Sequence, residues 1–447
     1  MRTMSVLGSL VIACAMSGAT LAQQGGVRVG AAKVDVTPSP KALPSGYDGV
    51  LDHLYSRAIV IDDGISTAAL ITVDAGGVPE PVWNDVAKRL ERELKIAPEN
   101  VLLTATHTHS APRQDPGPYT DKIVESVRQA KQRAVPARIG YGTGVSYINV
   151  NRNIIDPKTR RWWEGPNYEG PSDKTVAVLK FETVTGEPIA VYYNYAMHAV
   201  TVGQLDLVSA DAPGTTSRYL EDTFDDKLVA LWSSGAAGDQ NPIYFQQTYD
   251  LRDIRIKDYA RRGIDISNAM PPGGQGLDRK DPAVAKLMNQ QKQMIVSMGQ
   301  FLGEEVLHVM RGMERLDSNA RIEGRYKTVS CPGRERTNAG RAGFPGEYKE
   351  AGPVDIRLGL LKIGDVMIGA VNAEVFNPIA QRLKRESPYA HTMLATLTNG
   401  AAPSGYIPND SAFGQYTFEV LSSRLQPGCA ESAIVDGILE LMLDSAP

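Results

Sequence analysis

Cysteine is nearly absent from this chain, with three residues in 447, and histidine is scarce, with six. Cys14 lies in an N-terminal apolar run, so only Cys331 and Cys429 remain for the body of the protein. Two cysteines that far apart cannot by themselves build a thiolate metal centre, although one disulfide is possible in an oxidising compartment. Any metal must therefore be held by histidine and oxygen. No glycine cradle of the GxxxxGK[ST] kind for phosphates occurs, there is no internal repeat, and no later apolar run approaches a membrane span. An excess of basic charge is missing too: 47 Lys and Arg face 51 Asp and Glu, a net charge of -4. That balance argues against nucleic acid as the main partner.

What is present begins with a leader-like segment. Met1-Arg2-Thr3 is a short positive region, Met4 to Met16 is apolar, and Thr20-Leu21-Ala22 before Gln23 reads as a cleavage site. Residues 1–22 are expected to be a signal peptide, which implies a secreted or periplasmic protein without a transmembrane span. Val11-Ile12-Ala13-Cys14 offers the alternative of a lipoprotein anchored at Cys14. Cleavage leaves about 425 residues, enough for one large or two ordinary domains. No clean linker divides them, so 27–447 is expected to be a single domain.

Short apolar runs alternate with amphipathic ones. Val27 to Val36, Ser56 to Ile61, Thr67 to Asp74, Val101 to Thr106, Lys174 to Glu182, Ile189 to Tyr195 and Leu228 to Ser233 read as strands. Glu80 to Lys95, Tyr119 to Ala134, Pro282 to Met313 and Val375 to Arg385 read as helices. Val354 to Ile363 and Val366 to Val371 flank a Gly364-Asp365 turn, a hairpin signal. Elements in this order predict an α/β protein with mixed β-sheets flanked by helices. Gln247 to Lys280 and Cys331 to Gly352 break the pattern and read as long loops. Arg334, Arg336 and Arg341 in the second suit either an anionic ligand or solvent, and Trp162-Trp163 either a groove or a hairpin anchor.

Three of the six histidines end apolar strands. His107 and His109, in Thr106-His107-Thr108-His109-Ser110, follow Val101 to Thr106. On an extended segment, side chains two apart point the same way, so both would face one pocket at a strand's end. His198 ends Tyr195-Ala196-Met197-His198 in the same way. Histidines plus a carboxylate are what a hydrolytic zinc site needs, and Glu374, after Val366 to Val371, is the candidate carboxylate. His308 reads as helix packing; His53 and His391 carry no signal either way.

These residues carry a resemblance. Ala105-Thr106-His107-Thr108-His109-Ser110 resembles the SATHTHSGP segment of neutral, non-lysosomal ceramidases. His198 with Ser209-Ala210-Asp211-Ala212-Pro213-Gly214 is similar to that family's second histidine and its SxDxxG continuation. Gly238-Asp239-Gln240-Asn241-Pro242 stands where the family has GD/NxSPN, and Asn149-Val150-Asn151-Arg152 looks like its NINR. Gly364 to Arg385, with Glu374 at its centre, is similar to IGxxxIxxVPxE…RL, and Tyr406 and Tyr416 fall near SYxTTxxEY…YE. The motifs run in family order from about 27 to 430; full-length members continue into a C-terminal β-sandwich.

The resemblance implies zinc held by His107, His198, Glu374 and Tyr406, with His109, Arg152 and Tyr416 around the scissile bond. It implies hydrolysis of an N-acyl bond in a small-molecule substrate by metal-activated water. Asn241 stands where the family has a serine once proposed as nucleophile, which excludes a serine acyl-enzyme at that position and favours direct attack by metal-bound water; the missing β-sandwich continuation and the rewritten loop Cys331 to Gly352 put ceramide itself in question. A zinc esterase or related hydrolase, or a non-catalytic binding protein on the same fold, are the alternatives. Oligomeric state carries no sequence signal.

Overall fold

The computed structural model describes residues 26–267, 270–338 and 342–445. The leader-like residues 1–22, Cys14 and Arg341 lie outside the described residues. No helix among those described is long and apolar enough to cross a membrane.

Two mixed sheets pack face to face, and helices cover both outer faces. The larger has eight strands in the order Val229–Ser234, Pro188–Tyr195, Thr175–Thr183, Val135–Val145, Arg28–Asp35, Tyr55–Asp62, Thr67–Val73, Val101–Ala105. The smaller has four, Ile322–Arg336, Tyr348–Ile363, Val366–Val371 and His391–Thr396. Ile59, Ile61, Leu70, Leu179 and Phe181 of one sheet meet Leu361, Ile363, Ile368 and Met393 of the other in a shared core. Outside the large sheet lie Glu80–Arg89, Pro116–Gln132, Asp211–Thr223 and Pro282–Gly312; outside the small one lie Asn377–Glu386 and Ala430–Asp444. Burial on both faces explains why strands such as Thr67–Val73 read as continuous apolar runs and not as alternating ones.

The expected α/β architecture with mixed sheets flanked by helices is found. The Pro282–Gly312 helix starts where the sequence places it, because Asp281 accepts hydrogen bonds from the Ala283 and Val284 amides and proline occupies the first turn. Glu80–Arg89 continues into a wider turn, Leu90–Leu94, before Lys95 stops it in the left-handed region. The hairpin forms as expected, with Ile363 opposite Val366 and Gly364 at φ +60°.

The two long loops are shorter than expected. Gln246–Arg261 is a helix, although its polar composition gives it little apolar periodicity. Strands Ile322–Arg336 and Tyr348–Ile363 take up the two ends of Cys331 to Gly352, 331–336 and 348–352. Gly333 marks a bulge between Cys331 and Gly333 in the paired strands, whereas Gly343 and Gly346 lie in the connection between them. A Cβ on Gly333 would stand 2.0 Å from the Gly352 carbonyl oxygen. Gly333→Ala is accordingly expected to destabilise the protein by about 1–3 kcal/mol in chemical denaturation; an unchanged midpoint would contradict the close approach. Arg334 is half-buried and engaged within the protein: it donates to the carbonyls of Ser423 and Val420 and stacks on Tyr348.

Candidate metal centre

Every parallel strand pair in the two sheets delivers its C-terminal end to one place. Val101–Ala105 runs parallel to Thr67–Val73, Val229–Ser234 to Pro188–Tyr195, and His391–Thr396 to Val366–Val371. Side chains staple these ends across the sheets. Thr104 Oγ1 donates to Thr396 O at 3.0 Å, Ser234 Oγ to Ala105 O at 2.8 Å, and Asn194 Nδ2 to Leu394 O at 3.1 Å. Loops leaving these ends carry His107, His198, Asp239 and Glu374, the placement expected for ligand sites in α/β folds.

His107 and His109 do converge, but not as neighbours on an extended strand. The strand stops at Ala105, and His107 has φ +64°, a left-handed conformation that costs a non-glycine residue energy. The loop is held against the one after Pro188–Tyr195: the His109 amide donates to Ala199 O at 3.0 Å and Thr108 Oγ1 to Ser209 O at 2.6 Å. His107 and His109 thereby bring their Nε2 atoms to 3.5 Å.

Glu374 completes the cluster. Its Oε2 lies 3.3 Å from His107 Nε2 and 3.4 Å from His198 Nε2. The other imidazole nitrogens face carbonyls, His107 Nδ1 at 2.6 Å from Gly76 O and His198 Nδ1 at 3.1 Å from Gln240 O. A carbonyl only accepts, so each Nδ1 carries a proton, and in its neutral form each ring turns a lone pair inward from Nε2. In that form accepting nitrogens face an accepting carboxylate oxygen. Both His198 Nε2 and Glu374 Oε2 are buried without a hydrogen-bond partner, which in a native interior calls for an explanation. A shared cation supplies one. Ligand atoms of His107, His109 and His198 also lie within 4.8 Å of one another. A set of imidazoles and a carboxylate fits zinc.

The cluster's electrostatics follow from burial and from this carboxylate. Burial lowers the His107 pKa, but the Glu374 charge outweighs it and holds the group above its usual value. His198 is pulled down to about 4, first by burial and then by Arg152. His109 is lowered well below its usual range by loss of solvation and by its two histidine neighbours. The His109 side chain is nonetheless exposed, so water offsets part of the first cause. Burial raises Glu374, yet His107 and His198 bring it well below an ordinary carboxylate.

Tyr406 reaches the cluster through the backbone, paired with Glu374 in a short parallel bridge, Glu374–Val375 against Tyr406–Ile407. Its hydroxyl accepts from Arg152 NH2 at 3.2 Å, and burial, then the Glu374 charge, raises its pKa well above normal. Arg152 is 3 % exposed. It donates from Nε to Glu419 Oε1 at 2.7 Å, from NH1 to Asn241 Oδ1 at 3.2 Å and from NH2 to Gly238 O at 2.7 Å as well as to Tyr406. Four of the five N–H groups of the guanidinium are thus committed. Tyr416 stands apart, on the rim, 36 % exposed and at φ +51°. Its carbonyl accepts from the Gly343 amide at 2.8 Å, and among the described residues no hydrogen bond joins its phenol to the cluster.

Sequence reasoning missed Glu419 and the two carbonyls of Gly76 and Gln240. Glu419 follows the helix-capping Thr417 in a five-residue helix, where an acidic residue reads as a partner for the helix dipole. Nothing local marks it as the counter-ion of an arginine 267 positions earlier. Asp239 belongs to a quoted motif without a role; it is buried and anchors the site by accepting from the Asn377 amide at 2.8 Å and Asn151 Nδ2 at 2.9 Å.

No family model matches the chain. Among curated proteins it is 27% identical over 302 residues to the neutral ceramidase of Pseudomonas aeruginosa, covering 58% of this chain and 45% of that one. It is 25% identical over 266 residues to the neutral ceramidase of Drosophila pseudoobscura pseudoobscura, covering 51% and 37%. The chain thus spans less than half the length of these relatives. The crystal structure of neutral ceramidase from Pseudomonas aeruginosa superposes with a TM-score of 0.67 at 17% identity, over 94% of this chain and 75% of the other, a likeness of fold. Fold and cluster together define an α/β protein with a histidine–carboxylate centre at the ends of its parallel strands. In sequence and in fold the chain is similar to neutral ceramidases.

Proposed function

We propose that the protein is a zinc-dependent hydrolase of an N-acyl, linear amide bond, the kind of activity its relatives' name describes. One observation carries this most directly: buried, unpartnered acceptor atoms of His198 and Glu374 converge with His107. His107, His198, Glu374 and Tyr406 would hold the ion. Zinc supplies, when bound, Lewis-acid polarisation of a carbonyl and a water that ionises near neutral pH. Arg152, fixed by Glu419, Gly238 and Asn241, keeps one N–H to orient a substrate oxygen. His109, at the exposed edge, would pass a proton at Nε2 to the leaving amine, and Tyr416 would donate to the developing oxyanion. Asn241 has no hydroxyl to attack with, and its amide is already bonded to Arg152 and, at 2.9 Å, to Glu164, in keeping with attack by water.

The leader-like segment 1–22 and the Cys331–Cys429 disulfide support an oxidising, extracytoplasmic location, with 27–447 as one catalytic unit. Purified protein is expected to carry about one zinc per chain by elemental analysis, and His107→Ala to lose it together with hydrolysis of N-acyl substrates. Protein that takes up no metal after zinc addition would rule out the hydrolase and leave a binding protein. Faster cleavage of esters than of matched amides would favour the esterase.

A further inference from the structure

Beside Arg152 lies a cavity of about 240 Å³, lined by the apolar side chains of Trp163, Phe418 and Met270 and by the polar ones of Asn153, Glu164 and Arg252. It adjoins the centre directly. The Arg152 guanidinium carbon lies 4.9 Å from the Phe418 ring centroid, and the Phe418 and Tyr406 rings meet edge to face at 5.7 Å. Asn153 is the residue after Arg152. Hydrogen bonds tie the polar wall to the same arginine. Arg252 NH1 donates to Glu164 Oε2 at 3.0 Å, Asn241 Nδ2 to Glu164 Oε1 at 2.9 Å, and Arg152 NH1 to Asn241 Oδ1 at 3.2 Å.

Three properties define what fits. The charges cancel, Glu164 against Arg252, so an ionic group would leave one of them uncompensated and a neutral one does not. The volume, about 240 Å³, is that of a compact pocket and suits one substituted ring. Aromatic and polar groups are interleaved in the lining, with the Arg252 guanidinium carbon 5.4 Å from the Trp163 ring centroid, and such a mixed lining accepts a ring that carries both apolar faces and hydroxyl groups. We infer that this cavity is the subsite for the amine half of the substrate, and that it takes a compact, neutral, hydroxyl-bearing ring of the amino-sugar kind. The inference rests on the N-acyl hydrolase reading above and narrows its substrate class. Asn241 acts there as a positioning residue, joining the subsite wall to Arg152.

The test uses the zinc-loaded enzyme with N-octanoylglucosamine and N-octanoylsphingosine, which share an acyl chain and differ in the amine. The glucosamine amide is expected to show at least tenfold higher kcat/KM. Trp163→Ala, and Met270→Trp as a cavity-filling variant checked for folding by circular dichroism, are each expected to reduce that ratio at least tenfold. Calorimetric binding of N-octanoylglucosamine without turnover, weakened by Met270→Trp, would keep the subsite and overturn the hydrolase. Preference for the sphingosine amide, a ratio that neither variant changes, or absence of both binding and turnover of the glucosamine amide would overturn the subsite.

Discussion

Glu419→Ala is expected to cost about 3–5 kcal/mol of stability and to abolish hydrolysis, the first because of what it leaves behind. Arg152 and Glu419 are 3 % and 0 % exposed and meet at 2.7 Å. Burial drives the Glu419 pKa up while Arg152 opposes it; burial tends to lower that of Arg152, but the Glu419 charge outweighs it and raises the group. Each ion is therefore tolerated in the interior only because the other is there. Removing one partner strands the other charge, whereas replacing both by apolar residues of similar size can be neutral or stabilising. The double variant Arg152→Met, Glu419→Leu should then recover most of the stability lost by Glu419→Ala while remaining inactive. Urea unfolding and an N-acyl hydrolysis assay on the three variants measure both. If Glu419→Ala costs less than about 1 kcal/mol, the value of an exposed pair, the ion pair does not organise the centre. If the double variant is active, Arg152 is scaffolding and touches no reacting group.

How far such a site can be read from sequence depends on the separation at which its contacts act. His107, His198 and Glu374 were visible because each follows an apolar run that ends abruptly, and strand ends are where an α/β sheet places its ligands. Their convergence was expected on the wrong geometry. His107 and His109 meet through a left-handed turn at His107, a backbone state that the residue types there do not signal. Tyr406 was reachable only through its family motif, since its link to Glu374 is a two-residue bridge between distant segments. Glu419 and the carbonyls that fix the histidine tautomers were not legible, because a carbonyl has no residue type and a counter-ion hundreds of positions away leaves no spacing. The fold followed similar limits. Strands buried on both faces read well as apolar runs, while Gln246–Arg261 and the glycine-bearing hairpin 322–363 were hidden by compositions that resemble loops.

The second large effect concerns the disulfide of the small sheet. Cys331 lies in the strand Ile322–Arg336 and Cys429 caps the helix Ala430–Asp444; they are disulfide-bonded across 98 residues. That interval contains Glu374, Tyr406, Tyr416 and Glu419, so the crosslink restricts the segment supplying half of the proposed machinery to the strand ends supplying the other half. A loop of that length restricts the unfolded chain enough to be worth about 4–5 kcal/mol. Cys331→Ser with Cys429→Ser is expected to lower the unfolding free energy by about that amount in urea, with the same loss in reduced wild-type protein. Because zinc would bind only the folded chain, a hundredfold excess over its Kd should return about 2.7 kcal/mol to either form. The two increments act at different places, one on the unfolded ensemble and one on the folded site, so they should add. A zinc increment that vanishes in the double-serine variant would mean that the crosslink, and not the packing of the strand ends, assembles the centre.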